Sequence, residues 1–192
     1  MTAGQSRAGP GLKGGQNIYL TGFSGTGKSH SGRLAAQKLG MEFADTDDLI
    51  ERRAGKPISR IFSEDGEARF RQYEAEALSE MASSRGKVVS TGGGVPISVE
   101  NRELMAETGL VIRLRASPET IHARVMQSDT ARGRALRPLL GGDAPVETVR
   151  QLLKEREGAY ATADVTIDTE GKLPADVALE IAQAWRSHTG GS

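Results

Sequence analysis

The sequence has no cysteine, few aromatic residues, no long apolar run and no net charge. Without cysteine, a disulfide framework, a Cys-ligated zinc site and a thiol nucleophile are all excluded. Aromatic residues make up 4% of the chain, so the core must be mostly aliphatic. No apolar run approaches the ~20 residues that span a bilayer. The 25 basic and 25 acidic residues cancel, which argues against general binding to nucleic acid or anionic membranes.

The chain of 192 residues fits one domain, since domains commonly contain about 100–200 residues. Residues 1–16 are rich in glycine, and we expect a disordered amino-terminal arm there. This arm has no apolar segment typical of a secretory signal, so we expect a cytoplasmic protein. We also expect the protein to be a monomer. The predicted domain covers residues 17–187, and residues 188–192 are expected to form a frayed tail.

Short apolar runs alternate with helical patterns along the chain. This alternation predicts an α/β fold with a parallel sheet that helices cover on both faces. Residues 127–143 interrupt the pattern with three glycines and several arginines, which predicts a mobile lid. The predicted strands are residues 17–21, 41–44, 87–91, 110–114 and 165–167, and the predicted helices are residues 29–39, 65–81, 146–160 and 174–185, with a further helix starting at 117.

Residues 22–29, GFSGTGKS, form a complete P-loop motif between a predicted strand and a predicted helix. Glycines at 25 and 27 let backbone N–H groups, including that of Thr26, turn towards phosphates, and the helix dipole adds to the attraction. Lys28 is expected to reach the β- and γ-phosphates, and the Ser29 hydroxyl to bind Mg²⁺. The motif predicts nucleoside triphosphate binding, but alone it does not separate kinases from GTPases, ATPases or switches.

A run of acidic residues directly follows the second predicted strand, as Asp45-Thr46-Asp47-Asp48. The carboxyl ends of strands in this kind of sheet converge near the nucleotide. Asp45 could therefore support Mg²⁺ and Asp47 could face an acceptor hydroxyl. The alternative is an acidic helix cap, because carboxylates suit first turns.

Two arginines lie on helix faces where a bound acid could meet them. Arg71 shares a stripe with Glu67 and Glu74, so two carboxylates could hold its guanidinium in one rotamer, ready to clamp a carboxylate. Arg156 lies on an otherwise apolar stripe, where an unpaired arginine is unusual. The alternatives are a solvated face with i,i+4 pairs for Arg71, and a snorkelling side chain for Arg156.

The glycines at 92–94 follow a strand and permit close approach of a ligand to the backbone, although a simple tight turn is the alternative. Arginines 132, 134 and 137 lie in the predicted lid, where they could neutralise charge on a transferring phosphoryl group. General arginine enrichment of the chain is the alternative for these three. The sequence offers no protein nucleophile, so the hydroxyl of the acceptor would attack.

These motifs, taken in order, closely resemble the shikimate kinase family over about residues 17–185. The shared pieces are the P-loop, Asp45-Thr46-Asp47, the run from Ile61-Phe62 through Gly66-Glu67 and Phe70-Arg71 to Glu74, the glycines at 92–94, Arg137-Pro138-Leu139-Leu140, and Arg156 to Tyr160. The ordered set is far more specific than any piece beyond the P-loop. The resemblance implies a three-layer α/β/α, nucleoside-monophosphate-kinase-like fold with strand order 2-3-1-4-5.

The resemblance also implies the activity. Such a kinase transfers the γ-phosphoryl group of MgATP to the 3-hydroxyl of shikimate, giving shikimate 3-phosphate and ADP in chorismate and aromatic amino-acid synthesis. Lys28, Asp47 and Arg137 would be catalytic, and Ser29 and Asp45 would hold Mg²⁺. Further implied substrate-binding residues are Arg71, Glu74, Gly93, Gly94, Arg156, Phe62 and Phe70, and further nucleotide-binding residues are Gly25, Thr26, Gly27, His30, Arg124 and Pro174.

The sequence departs from the family pattern at three places. His30 stands where threonine is usual, Gly158 stands where proline is usual, and the segment from Arg124 to Arg137 is longer. The longer segment leaves open whether Arg124, Arg132 or Arg134 stacks on adenine. Two other functions are alternatives: a gluconate-type or nucleoside monophosphate kinase, and a non-catalytic regulatory module. Asp47 would repel a phosphorylated acceptor, which disfavours a nucleoside monophosphate kinase. Regulatory modules of this kind usually carry a DNA-binding segment, and we do not expect the short, glycine-rich stretch before the P-loop to form a helix-turn-helix.

Overall fold

A computed structural model describes residues 16–132 and 145–190. These residues form five strands, eight α-helices and a short 3-10 helix, Val95–Ile97. The strands are β1 (Asn17–Thr21), β2 (Glu42–Asp45), β3 (Lys87–Ser90), β4 (Gly109–Arg115) and β5 (Val165–Asp168). The helices are α1 (Lys28–Leu39), α2 (Thr46–Ala54), α3 (Ile58–Glu64), α4 (Gly66–Ser83), α5 (Val99–Thr108), α6 (Pro118–Arg132), α7 (Val146–Tyr160) and α8 (Pro174–Thr189).

The five strands form one parallel sheet in the order β2-β3-β1-β4-β5. This order confirms the fold class and topology expected from the sequence. The central strand β1 pairs Leu20 with Ser90 of β3 and with Ile112 of β4. Because all strands run in the same direction, the loops after β1, β2 and β3 meet at one edge of the sheet.

Alternate side chains of β1 enter two different core layers, as the pleat of a strand requires. Ile18 and Leu20 pack with residues of α1 and α8, including Ala35 and Ile181. Tyr19 packs on the opposite face in a cluster with residues of α4 and α5. The sheet is therefore covered on both faces, which fixes the ends of its strands relative to the helices that carry the charged side chains.

Several boundaries differ from the sequence predictions. Helix α6 continues to Arg132, because residues 127–132 contain no glycine or proline that would end it, so the predicted lid begins within a helix. Helix α8 continues to Thr189, and Gly190 donates its backbone N–H to the carbonyl of Arg186. Part of the expected tail is therefore helical. Three helices that the sequence analysis did not identify, α2, α3 and α5, complete the layers.

No helix in residues 16–132 or 145–190 is both long and apolar enough to cross a membrane. The predicted arm of residues 1–16 and the remainder of the predicted lid fall almost wholly outside the described residues.

Candidate active site

The loop of residues 22–27 connects β1 to α1 and has a backbone that glycine alone adopts easily. Gly22, Gly25 and Gly27 have φ values of 129°, 83° and 92°. At Gly22 a β-carbon would also lie 2.2 Å from the carbonyl oxygen of Leu114. The loop ends at the first turn of α1, where unpaired N–H groups and the helix dipole favour a phosphate.

A buried cation lies inside this loop. The Lys28 ammonium donates hydrogen bonds to the carbonyl oxygens of Gly22 at 2.8 Å and Phe23 at 2.9 Å. The Thr26 hydroxyl also donates to the Phe23 carbonyl, at 2.8 Å. These bonds hold positive charge at the centre of a loop whose backbone already favours anions.

Two oxygen-bearing side chains meet where α1 faces the end of β2. The Ser29 hydroxyl donates to Asp45 Oδ2 at 2.6 Å. The other oxygen of Asp45, Oδ1, accepts the backbone N–H of Asp47 at 3.0 Å and so caps α2. Asp45 therefore combines the helix cap considered from the sequence with a place beside the P-loop serine.

The Ser29–Asp45 pair fits Mg²⁺, because this ion prefers oxygen ligands. Among the residues that the structure describes, no three His, Cys, Asp or Glu side chains are grouped so as to hold a metal. Mg²⁺ usually takes one or two protein ligands and completes its octahedron with phosphates and water, so a hydroxyl and a carboxylate could suffice.

A pocket next to the P-loop contains every residue that the sequence analysis assigned to the acceptor. It encloses about 560 Å³, including its mouth to solvent. Phe23 and Ser24 of the P-loop form part of its wall, so the pocket adjoins the phosphate site. The predicted acceptor residues in its lining are Asp47, Phe62, Phe70, Arg71, Glu74, Gly93, Gly94 and Arg156.

Arg71 is held by the two carboxylates that share its face of α4. Its Nη1 donates to Glu74 Oε2 at 2.6 Å, and its Nη2 donates to Glu67 Oε1 at 2.7 Å. Its side chain is 29% exposed, whereas that of Glu74 is 2% exposed. Because both partners hold the guanidinium from its own helix, it is oriented towards the pocket before any ligand binds.

Glu74 is the most deeply buried ionisable group in this cluster. Burial raises the pKa of the Glu74 carboxyl to about 6, although the attraction of Arg71 opposes the rise and the charge of Asp47 adds to it. A β-carbon on Gly92 would lie 2.6 Å from Asp47 Oδ1 and 3.1 Å from Glu74 Oε1. The two carboxylates therefore approach the same glycine, which places negative charge at the pocket floor.

Residues 92–94, here called the glycine turn, follow β3 and are held by hydroxyl groups from two different helices. The Gly92 N–H donates to Thr46 Oγ1 at 2.7 Å, and the Tyr160 hydroxyl donates to the Gly93 carbonyl at 2.7 Å. At Gly94 a β-carbon would lie 2.0 Å from Arg71 Nη1. The close approach that the sequence suggested for a ligand is thus also needed for the arginine clamp.

Arg156 joins the acceptor pocket to the P-loop. It is half-buried on α7, and its guanidinium carbon lies 5.4 Å from the centre of the Phe23 ring. An arginine at this distance is attracted by the negative face of the ring. The pocket therefore presents two guanidinium groups, those of Arg71 and Arg156, with Asp47 also in its lining.

Only some of the residues predicted to contact the base and the outer phosphates lie in the part of the chain that the structure describes. Arg124 donates to Thr169 Oγ1 at 3.0 Å and to the Thr169 carbonyl at 2.9 Å, with a longer bond to the Gly25 carbonyl. Pro174 begins α8, and His30 is exposed on the first turn of α1. Arg134 and Arg137 lie outside the described residues, and Arg132 is described only as the last residue of α6.

Comparison with known proteins agrees with this geometry. A sequence profile of the family described as shikimate kinase matches residues 24–186. A shikimate kinase of Geobacter sulfurreducens is 47% identical over 174 residues, which cover 91% of this chain and 93% of that protein. The chain belongs to the shikimate kinase family. Its activity is accordingly that of a shikimate kinase, a phosphotransferase that uses ATP.

Solved structures of shikimate kinases share the fold of this family member. The structure of shikimate kinase from Acinetobacter baumannii, in complex with shikimate, superposes with a TM-score of 0.81 at 38% identity. The match covers 88% of this chain and 92% of that chain. A gluconokinase from Sinorhizobium meliloti, a member of the alternative class considered from sequence, matches at 18% identity with a TM-score of 0.56, a likeness of fold alone.

Several residues that line the pocket were not predicted from the sequence. Leu152 lies one turn before Arg156 on α7, and that i,i+4 spacing could have identified it. Ile58 opens α3, a helix that the sequence analysis did not predict. The hydroxyls of Thr46 and Tyr160 carry no local signal of contact with the glycine turn, because they lie 46 and 67 residues from their partners.

Proposed function

We propose that this shikimate kinase phosphorylates the 3-hydroxyl of shikimate in the pocket between α4, α7 and the glycine turn. One observation carries the proposal: all eight residues predicted to bind the acceptor line a single cavity that adjoins the P-loop. An acceptor in that cavity would lie beside the phosphates held by the loop, which is the arrangement that phosphoryl transfer requires.

The donor side is assigned to the P-loop and its neighbours. The N–H groups around Gly25, Thr26 and Gly27 would hold the phosphates, and Lys28 would neutralise charge on them. We assign His30 to the same phosphate site because it lies on the first turn of α1. Arg124 and Pro174 would enclose adenine, an assignment supported by the bonds that fix Arg124 to Thr169, shortly before α8.

Ser29 and Asp45 are the residues that would hold Mg²⁺ through their neighbouring oxygens. When bound, the ion would neutralise charge on the phosphate oxygens and align the transferring group. The residues of the chain itself position the acceptor and the nucleotide.

The acceptor is assigned to the two guanidinium groups and the acid between them. Arg71 and Arg156 would clamp the carboxylate of shikimate, since a guanidinium matches a carboxylate in a bidentate pair. Phe62 and Phe70, whose ring centres lie 4.6 Å apart, would pack against the ring of the substrate. The backbone of Gly93 and Gly94 would approach it closely, because neither residue has a side chain.

In the proposed reaction, the 3-hydroxyl oxygen attacks the γ-phosphorus of ATP in line with the bond to the β-phosphate. A new oxygen–phosphorus bond forms, the β–γ bridging bond breaks, and ADP leaves. Asp47 accepts the proton of the hydroxyl. Lys28 stabilises the developing negative charge, and we assign Arg137 the same role by its family position.

A coupled assay for ADP with purified protein tests this function. We expect ADP release that depends on shikimate and saturates with it, and no comparable release with gluconate or a nucleoside monophosphate. The Lys28→Ala variant, purified in parallel, controls for contaminating kinases. Release of ADP at the same rate with and without shikimate would refute the assignment.

We also propose that the protein acts as a monomer in the cytoplasm. All eight predicted acceptor residues and the P-loop meet within one copy of the chain, so the described pocket needs no residue from a second copy, and its donor, ATP, is a cytoplasmic metabolite. In this proposal a single domain of residues 17–187 carries both substrate sites, with residues 127–143 as its lid. Light scattering of the protein with and without shikimate and an ATP analogue tests the oligomeric state.

A further inference from the structure

Two hydroxyl groups hold the glycine turn, and neither belongs to a residue with an assigned role in the reaction. The Tyr160 hydroxyl donates to the Gly93 carbonyl at 2.7 Å, and its side chain is almost completely buried. On the other side of the turn, the Gly92 N–H donates to Thr46 Oγ1 at 2.7 Å, and Thr46 is also fully buried. Both bonds are sheltered from water, which would otherwise compete for the same groups.

These bonds fix peptide planes that face the acceptor. The Gly93 carbonyl and the Gly94 N–H belong to one planar peptide, and the described chain has no cis peptide bond, so these groups point in opposite directions. Holding the carbonyl with Tyr160 therefore sets the direction of the Gly94 N–H. Three successive glycines have wide conformational freedom of their own, so the order must come from such contacts.

Tyr160 also fixes the position of α7 relative to the turn. It is the last residue of α7 and lies one turn after Arg156 on the same side of the helix. An ion pair also holds this end of the helix to strand β4. Glu157 accepts two hydrogen bonds from the Arg113 guanidinium, at 2.8 and 2.6 Å. The Tyr160–Gly93 bond thus sets the distance between Arg156 and the opposite wall of the pocket.

The Thr46 bond acts from the other wall. Thr46 begins α2 and directly precedes Asp47, which lines the pocket. A β-carbon on Gly92 would lie 2.6 Å from Asp47 Oδ1, so this carboxylate lies close beside the turn. Through Thr46, the position of the turn is therefore linked to the position of the acid that we assign to the acceptor hydroxyl.

We infer that Tyr160 and Thr46 are positioning residues for the acceptor, whose hydroxyls hold the glycine turn at the distance from Arg156 and Asp47 that shikimate requires. This inference rests on the proposed function, since it concerns the same pocket. Neither hydroxyl is required to touch shikimate. Their removal is expected to weaken productive binding of the acceptor while leaving the nucleotide site unchanged.

Tyr160→Phe removes one hydroxyl and keeps the ring. We expect the KM for shikimate to rise about three- to tenfold, as the loss of one buried hydrogen bond implies, with the KM for ATP unchanged within about twofold. Tyr19→Phe is the matched control. Tyr19 is also completely buried, but its hydroxyl bonds Thr108 at 2.8 Å and accepts from Asn17 at 3.2 Å, and neither partner lines the pocket. This control should lower the Tm and leave both KM values unchanged.

Thr46 provides an independent pair of variants. Thr46→Val removes the acceptor of the Gly92 N–H at nearly constant volume, and it should raise the KM for shikimate without changing that for ATP. Thr46→Ser keeps a hydroxyl and should restore the wild-type KM for shikimate. If Tyr160→Phe does not fold, this pair alone decides the inference.

The outcomes separate this inference from the proposed function. A wild-type protein without shikimate-dependent ADP release refutes the function itself. An active wild type whose Tyr160→Phe and Thr46→Val variants keep the wild-type KM for shikimate overturns only the positioning role. An equal rise in the KM for ATP, or an equal change in Tyr19→Phe, would assign the hydroxyls to general stability and would also overturn it.

Discussion

The two halves of the active site are built from different parts of the chain. The donor side relies on backbone: a loop with three glycines of positive φ and the first turn of α1 provide the N–H groups, with Lys28 held among the carbonyls. The acceptor side relies on side chains from separate helices, with Arg71 fixed by two carboxylates and Arg156 placed by α7. Backbone N–H groups suffice to bind the phosphates of a nucleotide, whereas the selection of one particular acid as acceptor requires specific side chains.

The largest effect is expected on the donor side. Lys28→Ala removes the buried positive charge of the P-loop, so we expect kcat/KM to fall by at least about a thousandfold. If the two halves act separately, the variant should still bind shikimate with nearly wild-type affinity, measured by calorimetry without nucleotide. Loss of shikimate binding in a folded Lys28→Ala protein would show that the halves are not separate.

On the acceptor side, Arg71→Ala should weaken shikimate binding by about 2–5 kcal/mol, because it removes a charged clamp and leaves Glu74 buried without its partner. Calorimetry with shikimate measures this change, and the affinity for ATP should stay constant. Arg69→Ala is the matched control on the same helix, since Arg69 is exposed and contacts Gln72 and Tyr73 instead. Unchanged shikimate affinity in Arg71→Ala would place the acceptor elsewhere.

The same contrast explains how much could be predicted from sequence. The P-loop and the Arg71 clamp depend on short spacings, i to i+4 or a contiguous motif, so the sequence identified them and the structure places them together. The strand order follows from the family resemblance and is confirmed. By contrast, the hydrogen bond from Tyr160 to Gly93 joins residues 67 positions apart, and no local pattern encodes such a contact.

Helix limits were predicted least well, for a related reason. The end of α7 at Tyr160 agrees with the prediction, because the apolar stripe itself stops there. Helix α6 continues to Arg132, into the segment that was predicted to be irregular from residue 127. Polar residues without glycine or proline can continue a helix after its apolar periodicity has ended.

The acceptor pocket is also expected to cost stability at neutral pH, because it buries the Glu74 carboxyl. The folded pKa of Glu74 is about 6, above its ordinary value of 4.5, so the folded state binds this proton more tightly than the unfolded state. The contribution of the protonated Glu74 carboxyl to the free energy of unfolding is fully present below about pH 4.5, and it is lost as the pH rises through about 6. The free energy of unfolding of Glu74→Gln, relative to wild type, should therefore increase by about 2 kcal/mol between about pH 4 and pH 7.

Chemical denaturation at a series of pH values measures this difference. Glu67→Gln is the matched control, because Glu67 binds the same guanidinium from an exposed position where solvent screens the charge. It removes a carboxylate partner of Arg71 without removing a buried group, so an effect common to both variants would reflect the loss of that pairing. If the difference in free energy of unfolding between Glu74→Gln and wild type does not change with pH, the folded protein does not raise the pKa of the Glu74 carboxyl.

The smallest effect tests whether the acceptor half depends on the stiffness of α7 or on its contacts. Gly158 lies within α7, two residues after Arg156, and apart from the adjacent residues and backbone of α7 itself no atom lies within 4 Å of a β-carbon added there. Gly158→Ala should therefore raise the free energy of unfolding by about 0.5–1 kcal/mol, because alanine loses less backbone freedom in a helix. If hydrogen bonds such as that of Tyr160 position Arg156, the KM for shikimate will not change. A lower KM, measured in the same coupled assay, would instead show that flexibility of this helix end limits how well Arg156 is placed.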